Sequence, residues 1–174
     1  MSDRTLKIII SIGLAAGGIF GMAGTFAPTA SLRGFLWGID GVGLIMATAL
    51  LAVTFYRRGE DVAAAGFLVF CIGESQLLSG VAMDLAASGP SFGAGVGLWA
   101  LGTALISSAS VWPFAVRALG WLTTLVFAAT ALQIFGGRPI SPLASPLPYY
   151  GYPVLVATLV GWIVTLWRDR VRVS

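Results

Sequence analysis

Residues 62–86 read VAAAGFLVFCIGESQLLSGVAMDLA, with one carboxylate, Glu74, in the middle and a second, Asp84, near the end. The stretch is continuously apolar rather than alternating. At 1.5 Å per residue, about twenty such residues cross ~30 Å of hydrocarbon. Lipid offers an open backbone no partner, so helix is expected here and strand is not.

Working outward, five further apolar stretches lie at residues 7–27, 32–56, 92–111, 114–135 and 150–167. Short polar or proline-containing breaks separate them. The expected fold class is therefore an all-α integral membrane protein. Its six transmembrane helices form one bundle, a single domain over residues 1–174. The break between the fourth and fifth helices is placed at Trp112-Pro113.

Composition agrees. The chain is 57% hydrophobic and 10% charged, with a mean hydropathy of +0.92, whereas a soluble domain carries about a quarter charged residues. Its 23 glycines suit helices that pack backbone to backbone. The first apolar stretch also has the basic start and small residues (Ala27, Ala30) of a signal peptide. It is longer than a signal core, however, and Pro28 is poorly placed for cleavage, so an uncleaved first helix is expected.

Basic residues orient the bundle. With six spans, one side receives Arg4, Lys7, Arg57, Arg58, Arg117, Arg168, Arg170 and Arg172, and the other receives Arg33 and Arg138. The eight-to-two split predicts both termini cytoplasmic and, for a bacterial chain, the plasma (inner) membrane. The net charge of +3 is spread over helix ends, which points to lipid headgroups as partners and away from nucleic acid.

Histidine is absent and Cys71 is the sole cysteine. Imidazole ligation, zinc clusters, iron–sulfur sites and His-based catalysis are excluded within the chain, and no cofactor or metal is expected. Ser75 and Ser79 have no base and no nucleophile elbow, so nucleophilic catalysis has no support. Gly38-Ile39-Asp40 resembles part of the intramembrane aspartyl protease signature, but Trp37 stands where that family has its first glycine.

Glu74 is the candidate centre. It lies about twelve residues, ~18 Å, from one end of its helix, near the bilayer midplane. A charge there costs roughly 2.5–3.5 kcal/mol, so Glu74 is expected to face the protein interior, paired, hydrated or protonated. Its neighbours Ser75 and Gln76 are read as neutral hydrogen-bonding partners at the same site. Asp40, between Gly38 and Gly41, is expected slightly outward of Glu74 on the preceding helix, the two lining one cavity. Arg33 and Asp84 sit at similar depth near the outer face and read as an interfacial ion pair or gate.

Gly13, Gly17 and Gly21 make a four-residue-spaced ridge, read first as internal helix packing and second as a docking face for an oligomer or partner subunit. Residues 136–148 hold Pro139, Pro142, Pro146 and Pro148 and are expected to be extended and semi-rigid. Tyr149, Tyr150, Tyr152, Tyr56, Trp112, Trp121 and Trp167 are expected in interfacial aromatic belts. The two three-helix halves would have opposite topology, as in inverted-repeat transporters.

In size, helix number, termini and small-residue first helix, the chain is similar to the substrate-binding components of energy-coupling-factor vitamin transporters. That resemblance implies docking of a partner through a small-residue helix face, and it transfers no residue role. Two functions are expected in competition. One is transport of a proton, cation or small solute through a cavity lined by Asp40 and Glu74. The other is a non-catalytic membrane subunit or scaffold binding lipid, quinone or a partner protein.

Overall fold

The computed structural model describes residues 2–81, 85 and 87–168, so the expected Arg33–Asp84 pair and the tail residues Arg170 and Arg172 lie outside the described residues. Those residues form six helices and no strand: α1 (Asp3–Thr25), α2 (Ala30–Arg57), α3 (Asp61–Gly80), α4 (Gly89–Ser108), α5 (Phe114–Phe135) and α6 (Gly151–Trp167). Helix α5 matches the expected 114–135, bounded by Pro113 before it and Gly136 after it. Helix α1 starts four residues earlier than hydropathy suggests, because the Thr5 amide donates to Ser2 Oγ at 3.2 Å and closes the first turn. Helix α3 ends at Gly80, short of the expected residue 86.

Five helices are long and apolar enough to cross a membrane, and α6, at 17 residues, is the shorter sixth. Large apolar side chains face outward around the bundle. Ile12, Ile19, Phe35, Val42, Leu125 and Leu132 are each more than 60% exposed, a surface that lipid solvates and water does not.

Each helix packs on its sequence neighbours, and α6 closes against α1, so the six form a ring. The seams between consecutive helices are built on glycine. A Cβ at Gly13 would sit 2.6 Å from the Gly43 carbonyl oxygen, and one at Gly73 would sit 2.9 Å from that of Gly95. The α1 ridge is thus occupied inside the bundle, against α2: Gly17 faces Leu44 and Gly21 faces Asp40.

The ring's centre has two unlike halves. Toward the end carrying Arg57, Arg58, Arg117 and Arg168 (the basic end), aromatic rings fill the space. Phe67 stacks on Phe55 at 5.4 Å and meets Trp162 edge-on at 5.0 Å, and Phe70 stacks on Trp99 at 5.4 Å. Trp112 belongs to this cluster, 3% exposed and 5.4 Å from Phe55. That corrects its expected place in an interfacial belt: the 109–113 link folds inward over the ring, so its tryptophan packs in the core. Tyr56, Trp121, Tyr150 and Trp167 do lie at the surface.

Candidate binding cavity

The other half of the ring holds a cavity of about 370 Å³. Its walls come from every helix except α5. Arg33 and Ala30 of α2, Val81 after α3, Ser88 before α4 and Pro142 of the α5–α6 loop surround its mouth at the end opposite the basic one. Trp99, Leu44 and Leu159 lie at its floor, where Trp99 meets Phe127 edge-on at 5.1 Å and joins the aromatic core. The lining therefore runs from that end of the bundle down to the aromatic core.

Asp40 and Glu74 both line it. Along the helices from their shared α2–α3 turn, Asp40 stands about 25 Å away and Glu74 about 20 Å, so Asp40 is the outer of the two. Both face the same space as Tyr152, a third lining residue. Glu74 is 3% exposed. Its Oε2 and the Asp40 Oδ1 are buried and have no hydrogen-bond partner. The Trp99 indole N–H approaches Glu74 but does not reach hydrogen-bond geometry. Buried polar atoms are nearly always satisfied, so these orphans concentrate polar demand in one place.

Asp40 owes its position to a glycine on the facing helix. A Cβ at Gly21 would stand 2.8 Å from Asp40 Oδ2. One turn outward, Trp37 lies over Gly24 and donates from Nε1 to the Gly21 carbonyl at 3.3 Å. Arg33, one further turn out, donates from Nη2 to the Ala27 carbonyl at 3.3 Å. Its guanidinium sits 5.9 Å from the Trp37 ring centroid. It forms no ion pair with Asp40 among the described residues.

Ser75 and Gln76 do not join the site. Both are exposed, because successive helical residues turn by about 100° and only Glu74 points inward. Ser75 Oγ donates back to the Cys71 carbonyl at 3.0 Å. Gln76 contributes only its backbone carbonyl, which accepts from Ser91 Oγ at 2.7 Å across the α3–α4 seam. Cys71 likewise donates from Sγ to the Ile45 carbonyl at 3.6 Å.

Among the lining residues that the sequence does not assign to the site are three with polar aromatic side chains, Trp37, Trp99 and Tyr152. Trp37 shares a face with Asp40 at i−3, a spacing that was available. Trp99 sits in an apolar run without a polar neighbour and gave no signal. Tyr152 was read as part of a surface belt with Tyr149 and Tyr150, yet it lies within the first turn of α6 and turns inward to line the cavity. Its hydroxyl donates to the Pro142 carbonyl at 2.8 Å.

That bond draws the proline loop over the mouth. The loop is not extended as expected: it runs through turns, with Ala144 N–H on the Ser141 carbonyl at 3.0 Å and Gly151 N–H on the Pro148 carbonyl at 2.7 Å. Proline favours turn positions as readily as extended ones. Tyr149 then meets Phe26 edge-on at 5.8 Å and ties the loop to the α1–α2 corner.

No family model, no curated protein and no solved structure matches the chain. The likeness to energy-coupling-factor substrate-binding components accordingly rests on size, helix number, the expected placement of the termini and the small-residue first helix.

Proposed function

We propose that the protein is a small multi-pass transporter, or the membrane-embedded part of one, that carries a proton, cation or small solute by way of Asp40 and Glu74. One observation carries this reading. Two carboxyl groups, each with an unpartnered buried oxygen, share a cavity that reaches mid-bundle from one end. An uncompensated carboxyl at that depth is costly in lipid and is the usual mark of an ion or solute pathway. With the basic end cytoplasmic, the cavity faces outward in the plasma membrane, and the aromatic core is the inner barrier. Passage then requires the rings around Trp99 and Trp162 to part, alone or on contact with a partner subunit.

The test is flux in proteoliposomes made with the wild type and with Glu74→Gln, driven by a pH gradient or membrane potential. Flux lost in the variant, with the folded amount unchanged, supports the proposal. Flux equal to wild type overturns it.

The apolar cavity walls favour one second reading, a non-catalytic membrane subunit that holds a lipid or quinone tail. Extraction of a stoichiometric lipid or quinone from the purified protein, with no flux, would select it. The α1 glycine ridge lends that reading no docking face, since α2 already covers it.

A further inference from the structure

The cavity's chemistry narrows the solute, and the narrowing rests on the reading just given. Side-chain atoms that are buried and unpartnered cluster there: Asp40 Oδ1, Glu74 Oε2, Trp99 Nε1 and Arg33 Nε all belong to lining residues. The rest of the wall is apolar, with Leu44, Leu77, Phe92, Leu155 and Leu159 around the two acids. A hard inorganic cation wants about six or more oxygen ligands. Among the described residues, no group of three Asp, Glu, His or Cys side chains comes together to supply such a shell. A proton needs no space of about 370 Å³. That volume falls at the small end of pockets that enclose organic ligands, typically about 300–1,000 Å³.

A group with several N–H donors and one positive charge satisfies both carboxyls at once, and an apolar body satisfies the walls. The Trp99 and Trp37 rings on the lining add the aromatic faces that attract organic cations. Arg33 sits seven residues outward of Asp40 on α2, about 10 Å along the axis. A second positive charge on the ligand would approach it. We propose that the cavity binds an organic monoammonium ion with an apolar body, its nitrogen between Asp40 and Glu74 and its body directed toward the mouth.

The experiment is binding to the full-length protein in nanodiscs, followed by tryptophan fluorescence and calorimetry, with 2-phenylethylamine as the probe. Its comparators are the neutral 2-phenylethanol, the anionic 3-phenylpropionate, the dication of 1,4-diaminobutane, and sodium and potassium chloride. Saturable binding of 2-phenylethylamine at least tenfold tighter than each comparator is expected. Asp40→Asn and Glu74→Gln should each weaken it tenfold or more, and Gly38→Ala, whose added Cβ meets no atom within 4 Å, should not. Equal binding of the alcohol, retention of amine binding in both acid variants, or absence of saturable binding overturns the proposal. If one acid variant fails to fold, the wild-type comparator series and the other variant still decide. Amine binding without any flux sinks the transport reading and leaves the ligand class standing. Proton or sodium flux that depends on Glu74, without amine binding, does the reverse.

Discussion

Asp40 on α2 lies against the backbone of Gly21 on α1, so close that a Cβ at position 21 would stand 2.8 Å from its Oδ2. The carboxylate reaches the cavity because the facing residue has no side chain. Gly21→Ala is expected to push Asp40 aside and destabilise the bundle by about 1–3 kcal/mol, as overpacking does. Gly38→Ala, with open space at its Cβ, should instead gain up to ~1 kcal/mol from helix propensity. Thermal unfolding in detergent compares the two, and identical Tm values for both variants would contradict the contact.

Glu74 carries a buried oxygen without a partner. Replacing it by an apolar residue of similar length should remove that burden. Glu74→Met is expected to raise stability by roughly 1 kcal/mol, since apolar replacement of buried charge is often neutral or stabilising, while abolishing flux. A lower Tm in this variant would mean that Glu74 is structural glue.

Trp162 is 1% exposed and contacts Phe67, Phe70 and Trp112. Trp162→Ala empties the middle of the inner barrier and should cost about 3–5 kcal/mol. Variant protein that survives expression is expected to leak small solutes in liposomes faster than the wild type, and equal leak rates would contradict a barrier at these rings.

Tyr152 holds the proline loop through a single bond to the Pro142 carbonyl. Tyr152→Phe should cost only about 0.5–1.5 kcal/mol. Amide exchange across residues 136–148 should nonetheless quicken, measured by mass spectrometry, with exchange in α3 and α4 unchanged. Unchanged loop exchange would show that other contacts hold it.

Gln76 faces away from the cavity despite its nearness in sequence to Glu74. Gln76→Leu is therefore expected to leave flux and amine binding within twofold of wild type. A loss as large as that of Glu74→Gln would place its side chain in the pathway.

The helices were legible because hydropathy reports burial in lipid directly, and the expected 114–135 stretch coincides with α5. Asp40 and Glu74 could be picked out because a carboxylate in an apolar run has a high cost that needs a reason. Their similar depth on neighbouring helices suggested one shared cavity, but spacing gives depth along each helix and not rotation about it, so the structure was needed to bring them to the same space. Rotation also explains Ser75 and Gln76, which sequence proximity attached to Glu74 and the helical turn carried away. Trp112 and Tyr152 were misplaced for a related reason. An aromatic near a helix end suits the interface or the core equally well, and only the path of the link beside it decides.

The closure of the ring by α6 has a consequence for biogenesis. Asp40 and Glu74 are synthesised and inserted well before Tyr152, Leu155 and Leu159, which wall their cavity on the last helix. Until α6 docks on α1, both acids look out through an open side of the arc. A chain that ends before α6 is therefore expected to leave both carboxyls without that wall.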